Sequence, residues 1–132
     1  MRDLEEIKGA NAARVEEMSA AKAAEYVLWE ILIPVASNSG EEFSQLHHDA
    51  FLKQVADAAG GYTLTGVVTG AWRNPVGHMQ IERMLPVRVA LPANLTIGAD
   101  VGRLCDLARE HYSQDAIMAY RLSEAVRFFT GD

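Results

Sequence analysis

The sequence predicts an α+β domain in which two helices cover one face of a four-stranded antiparallel sheet, on three observations. Tyr26 to Val35 is rich in β-branched and aromatic residues, with both faces mostly apolar, as in a central strand. Gly60 to Leu91 reads as a β-hairpin whose second arm is long and alternating. Two segments with helical spacing stand between the strands, one ending near Ala59 and one running from about Asp100 to Tyr112.

Residues 1–25 form an N-terminal extension of good helix formers, with Leu4, Ile7, Val15 and Met18 as a thin apolar stripe. Such a stripe either docks loosely on its own domain or packs on a partner subunit. In the first strand Val27, Trp29, Ile31, Ile33 and Val35 share one face, and Tyr26, Leu28, Glu30 and Leu32 the other. Glu30 is a carboxylate on an otherwise apolar face, and Pro34 marks where ladder pairing ends. Ser39 followed three residues later by Glu42 has the form of a capping box. It predicts a helix with Phe43, Leu46, Ala50, Val55 and Ala58 inward and a stop at Gly60 and Gly61.

The arm Val67 to Trp72 is joined to the next by Asn74, Pro75, Val76 and Gly77, a turn with fixed φ at Pro and free φ at Gly. The second arm places Met79, Ile81, Leu85, Val87, Val89 and Leu91 on odd positions, and His78, Gln80, Glu82, Met84 and Arg88 on even ones. Arg83 breaks the odd series, which predicts either a bulge or a strand that protrudes beyond the core. The second helix turns Ile97, Val101, Leu104, Leu107, Ala108 and His111 inward. Ala116 to Leu122 is the last strand, followed by a tail bearing Val126, Phe128 and Phe129. Strand, helix, strand, strand, helix, strand is the ferredoxin-like order, with right-handed crossovers and the two most apolar strands in the middle. The domain is assigned to residues 26–132.

At 132 residues, 49% hydrophobic and 23% charged, the chain has the size and composition of one domain that buries a core without staples. The single Cys105 excludes an intramolecular disulfide and every motif of paired cysteines, and a reducing, cytoplasmic setting is expected. The first residues lack a basic region leading into an apolar one, so no secretory leader is expected. The run from Tyr26 to Ala36, interrupted by Glu30 and Pro34, is too short to span a bilayer. A net charge of −6 with scattered basic residues argues against nucleic acid as a partner.

Gly61-Tyr62-Thr63-Leu64, Gly70-Ala71-Trp72-Arg73, Glu82 before an apolar strand, and His111-Tyr112-Ser113-Gln114-Asp115-Ala116-Ile117 together resemble a group of small uncharacterised bacterial proteins. In that group a Gly-x-Thr stretch, a Gly-x-Trp arm and a Tyr/Phe-Gly-Gln-x-x-Val segment recur; Ser113 stands where the group favours Gly. The resemblance spans roughly residues 27–123 and implies a ferredoxin-like fold, with no activity or site residue to carry over.

Gly61 and Gly66 have the glycine spacing of a phosphate loop, but Val67 and Val68 stand where Lys and Ser or Thr are required. There is no Gly-x-Ser-x-Gly elbow. His47 and His48 are adjacent on a helix and diverge by about 100°, which makes them poor co-ligands. His78 and Glu82 share a strand face about 13 Å apart, too far to hold one ion. No cofactor or metal is expected, and Cys105 reads as a buried, inert thiol.

The sheet face away from the helices is where function is expected. Its candidate ligand-binding residues are Glu30, His78, Glu82, Arg88 and Tyr120, with Arg121 beside the last. One reading is a self-associating module, a homodimer or higher homo-oligomer through that face with Glu30 and Arg88 ion-paired, binding a small ligand or a protein. The other is a cofactor-independent enzyme of the dimeric α+β barrel type, in which facing sheets enclose a small organic substrate, Arg88 reads an anion and Glu30 or His78 acts as acid or base. No catalytic residue is assigned.

Overall fold

The computed structural model describes residues 25–94 and 97–126. The expected N-terminal extension and the tail with Phe128 and Phe129 lie outside them, as does the side chain of Ile97. The element order is β1 (Tyr26–Pro34), α1 (Gln45–Ala59), β2 (Thr63–Leu64), β3 (Val68–Arg73), β4 (Met79–Pro92), α2 (Ile97–Tyr112) and β5 (Ala119–Val126). It is an α+β fold with a five-stranded antiparallel sheet in the order β2-β4-β1-β5, and β3 also pairs with β4.

The expected count of four strands is corrected to five, because the arm before the hairpin turn is broken. β2 pairs with β4 at Arg88 and Val87 and β3 pairs with it from Met84 to Met79, so the two share one edge of β4 without forming a single strand. β1 and β4 are the central pair, in register from Tyr26 with Pro92 to Pro34 with Met84. The odd positions of both strands meet the helices: Ile31, Ile33, Val87, Val89 and Leu91 form one buried cluster with Phe51, Leu52, Val55, Val101, Leu104, Ala108 and Tyr112. Each buried Val, Leu, Ile or Phe among them contributes about 1.5 to 3 kcal/mol of burial before conformational entropy is subtracted.

The N-terminus of α1 differs from the sequence expectation. Ser44 caps the helix, its Oγ accepting from the His47 N–H at 3.1 Å, and the Ser39–Glu42 pair does not form a capping box. Ser39 is engaged with Ser37 in a tight turn closed by Gly40 N–H to Ser37 O, while Glu42 bridges Ala36 and its carboxylate pairs with Arg83. With the start displaced, the inward face is His48, Phe51, Leu52, Val55 and Ala56; Leu46, Ala50 and Ala58, expected inward, are exposed. Gly60 ends the helix at φ 88°, a left-handed conformation that residues with a Cβ rarely adopt, and donates its N–H to Ala56.

Arg83 needs no bulge: β4 pairs without interruption with β3, and residues 79–83 protrude beyond the helices into solvent. Asn74 organises the hairpin turn, accepting from the N–H groups of Val76 and His78 through Oδ1 and donating its own N–H to His78 O at 2.8 Å. The last strand begins at Ala119, three residues after the sequence expectation of Ala116. Among the described residues no helix is long and apolar enough to cross a membrane.

Candidate functional site

Cross-strand register assembles the site. Glu30 lies opposite Arg88 on one side and Tyr120 on the other, and Thr63 lies opposite Arg88, so four strands place these side chains in one row on the face away from the helices. The Arg88 Nε donates to Glu30 Oε1 at 2.9 Å, and the Tyr120 hydroxyl donates to Glu30 Oε2. Glu30 is 5% exposed, with buried Leu32 beside it on the same face. The centre of this face is therefore closed, whereas Tyr120, at 38%, and Leu122 remain exposed at its edge.

Burial alone would push the Glu30 carboxyl up; the hydrogen bonds from Tyr120 and Arg88, with the guanidinium charge, outweigh it and hold the carboxyl below its usual range. The same bond to Glu30, with some desolvation, pushes the Tyr120 phenol up. Glu30 is thus an ionised carboxylate with both oxygens occupied, and its chemical effect is to orient its two neighbours. Arg88 spends Nε on Glu30, and no described residue bonds its two Nη groups. Tyr120 directs its proton to Glu30, which leaves a lone pair on its oxygen and an exposed ring.

The other two candidates lie elsewhere. Glu82 pairs with Gly70, six residues before Arg88 on β4, about 20 Å away along the strand. His78 sits in the hairpin turn, about 34 Å from Arg88. Glu82 shares β4 with Arg88 and His78 lies in the turn before that strand, but neither reaches the Arg88 site.

A second cluster joins the ends of the helices. The His47 Nε2 donates to the carbonyl of His111 at 2.9 Å, and the His111 Nε2 donates to the carbonyl of His47 at 2.6 Å. The two rings lie 4.0 Å apart at their centroids, and Phe43 stacks on His47 at 4.8 Å. Beside them His48 Nδ1 shares a 2.7 Å hydrogen bond with the buried Tyr112 hydroxyl. Burial, then the neighbouring His47 and His111, hold the His48 imidazole below its usual range, with Asp49 opposing; burial pushes the Tyr112 phenol up. Among the described residues no group of three His, Cys, Asp or Glu can hold a metal ion. Sequence reasoning left these histidines unassigned because their partners are 64 residues away and are backbone carbonyls, which carry no sequence signal. Burial and the nearby Asp106 raise the Cys105 thiol, as befits an unreactive sulfur.

No family model matches the chain, and no curated protein does. Among solved structures, a phage SAM lyase in complex with S-methyl-5'-thioadenosine is similar to it, with a TM-score of 0.57 at 10% identity over 80% of this chain and 86% of that one. At that identity the likeness is one of fold.

Proposed function

We propose that the protein is an enzyme acting on a small organic molecule bound at the Glu30–Arg88–Tyr120 row. One observation carries this: a nearly buried, ionised carboxylate holds a guanidinium and a phenol side by side, each with recognition capacity left over. Buried charge is costly to maintain, and here it fixes the orientation of two outward groups. The Arg88 fork suits a carboxylate or phosphate, and the Tyr120 oxygen and ring suit a donor group on a planar heterocycle. SAM combines a carboxylate with a purine, and the fold likeness to a SAM lyase makes it the first compound to test.

Two further parts belong to the same reading. The sheet order, with both helices on one face, supports a ferredoxin-like arrangement. The lone Cys105 suits a reducing, cytoplasmic setting.

Thermal-shift titration with SAM and with S-methyl-5'-thioadenosine, followed by chromatography of the SAM incubation, tests the proposal. A stabilising shift that Arg88→Ala abolishes is the expected result, with product formation lowered in Tyr120→Phe. No shift with either compound at millimolar concentration and no product from SAM would remove the SAM assignment, and a wider metabolite screen without response would remove the site.

A further inference from the structure

We infer that β3 is a self-pairing edge, joining two copies of this chain into one continuous sheet across a two-fold axis at Gly70. Among the described residues β3 pairs only with β4, so its outer edge presents unpaired backbone groups. It lies on a hairpin that projects past the helices and carries large apolar side chains in water: Trp72 is 44% exposed, Met79 55% and Ile81 72%. A two-stranded hairpin on its own is marginally stable in water, so such a projection gains from further strand pairing.

Three features point to a second copy as the occupant. Between Asp57 and Glu82 the only charged residue is Arg73, in a chain of net charge −6, so this edge is where two copies approach with least repulsion. Arg73 is itself turned back, its Nη1 donating to Gly77 O at 2.8 Å. The strand pairs regularly over Val68–Arg73, whereas the other outer strand, β5, shows register shifts against β1 near Leu28 and carries Arg121, both of which blunt an edge.

Symmetry then sets the register. A two-fold axis perpendicular to an antiparallel sheet pairs residues whose numbers sum to a constant even value, with opposed side chains on the same face. Centred on Gly70, it sets Val68 against Trp72 of the second copy twice, a β-branched–aromatic pair of the kind that stabilises sheets. Gly70 suits the centre because its space is already taken: a Cβ there would collide with the Cε of Met84. Arg73 never meets its own copy in this register. The paired length is about 20 Å. That places the contact at the small end of specific interfaces, below roughly 1,200 Å² in total, so the dimer dissociates on dilution.

Sedimentation velocity of the full chain from micromolar to several hundred micromolar reads this directly. The expected result is a monomer converting to a dimer, with Val68→Lys and Trp72→Glu each weakening association at least tenfold while circular dichroism stays native, since both side chains are exposed. The double variant Val68→Lys/Trp72→Glu places opposite charges across the axis and recovers at least part of the lost association. Leu122→Asp, on the face of the Glu30 row, leaves it unchanged. A wild-type monomer throughout, unaltered dimerisation in Trp72→Glu, a double variant no better than the singles, or a dimer lost only in Leu122→Asp would each overturn the inference. The last result would support association over the Glu30 row instead.

Discussion

His47 and His111 each donate a ring Nε2–H to the other's backbone carbonyl, at 2.9 and 2.6 Å, with their rings 4.0 Å apart. Because a carbonyl only accepts, both imidazoles carry hydrogen on Nε2. The reciprocal bonds lock the first turn of α1 to the last turn of α2. His111→Ala should therefore cost about 1 to 2 kcal/mol, one hydrogen bond plus ring packing. A double-mutant cycle with His47→Ala, measured by urea unfolding, should give a coupling of at least about 0.5 kcal/mol, and strict additivity would show the two rings to be independent.

His48 sets a pH dependence. Its folded-state imidazole is held below the usual range, so between the folded value and the unfolded value of about 6.5 the unfolded chain binds more protons. Stability is then fully present above about pH 6.5 and declines as the pH falls below it. In His48→Gln the slope of the unfolding free energy between about pH 6.5 and 5 should flatten relative to wild type. An unchanged slope would assign the loss to other groups.

Glu30 acts in a lower window. Its carboxyl is depressed in the fold, so its contribution is present above the unfolded value of about 4.3 and is lost as the pH falls through the folded one. Glu30→Gln leaves the Arg88 guanidinium without its anion. Arg88 is partly solvated and can turn outward, so the expected cost at neutral pH is modest, about 1 to 2 kcal/mol. The difference in melting temperature between Glu30→Gln and wild type should shrink between pH 7 and pH 3.

Gly60→Ala tests the helix stop. At φ 88° a Cβ is strained although no neighbouring atom obstructs it. The substitution should destabilise by about 1 kcal/mol, seen as a fall of several degrees in melting temperature. At Gly70 the obstacle is the flexible end of Met84, so Gly70→Ala should change the melting temperature less than Gly60→Ala does.

The Glu30–Arg88 pairing was legible because alternation placed both residues on the even faces of two apolar strands, and central strands of that kind become neighbours. Tyr120 was legible as a residue of the last strand, although that strand starts three residues later than its composition suggested. The start of α1 was not legible, since Ser39 and Ser44 offer equal capping chemistry and the loop's contacts with Arg83 and Val35 select between them. His78 and Glu82 entered the candidate set by sharing a strand face with Arg88. Only the full length of β4, fourteen residues, shows that a shared face is not a shared site.

By itself the sequence determined which face of each central strand enters the core, because a period of two sorts apolar from polar side chains wherever the chain folds. It also determined the stop at Gly60 and the hairpin turn after Arg73, which depend on the backbone freedom of a few residues. The tertiary structure alone decided which side chains meet. The bond from Tyr120 to Glu30 spans 90 residues, and the His47–His111 clasp spans 64. Neither follows from local preference; both are set by strand register and helix packing, which bring distant segments within hydrogen-bonding reach.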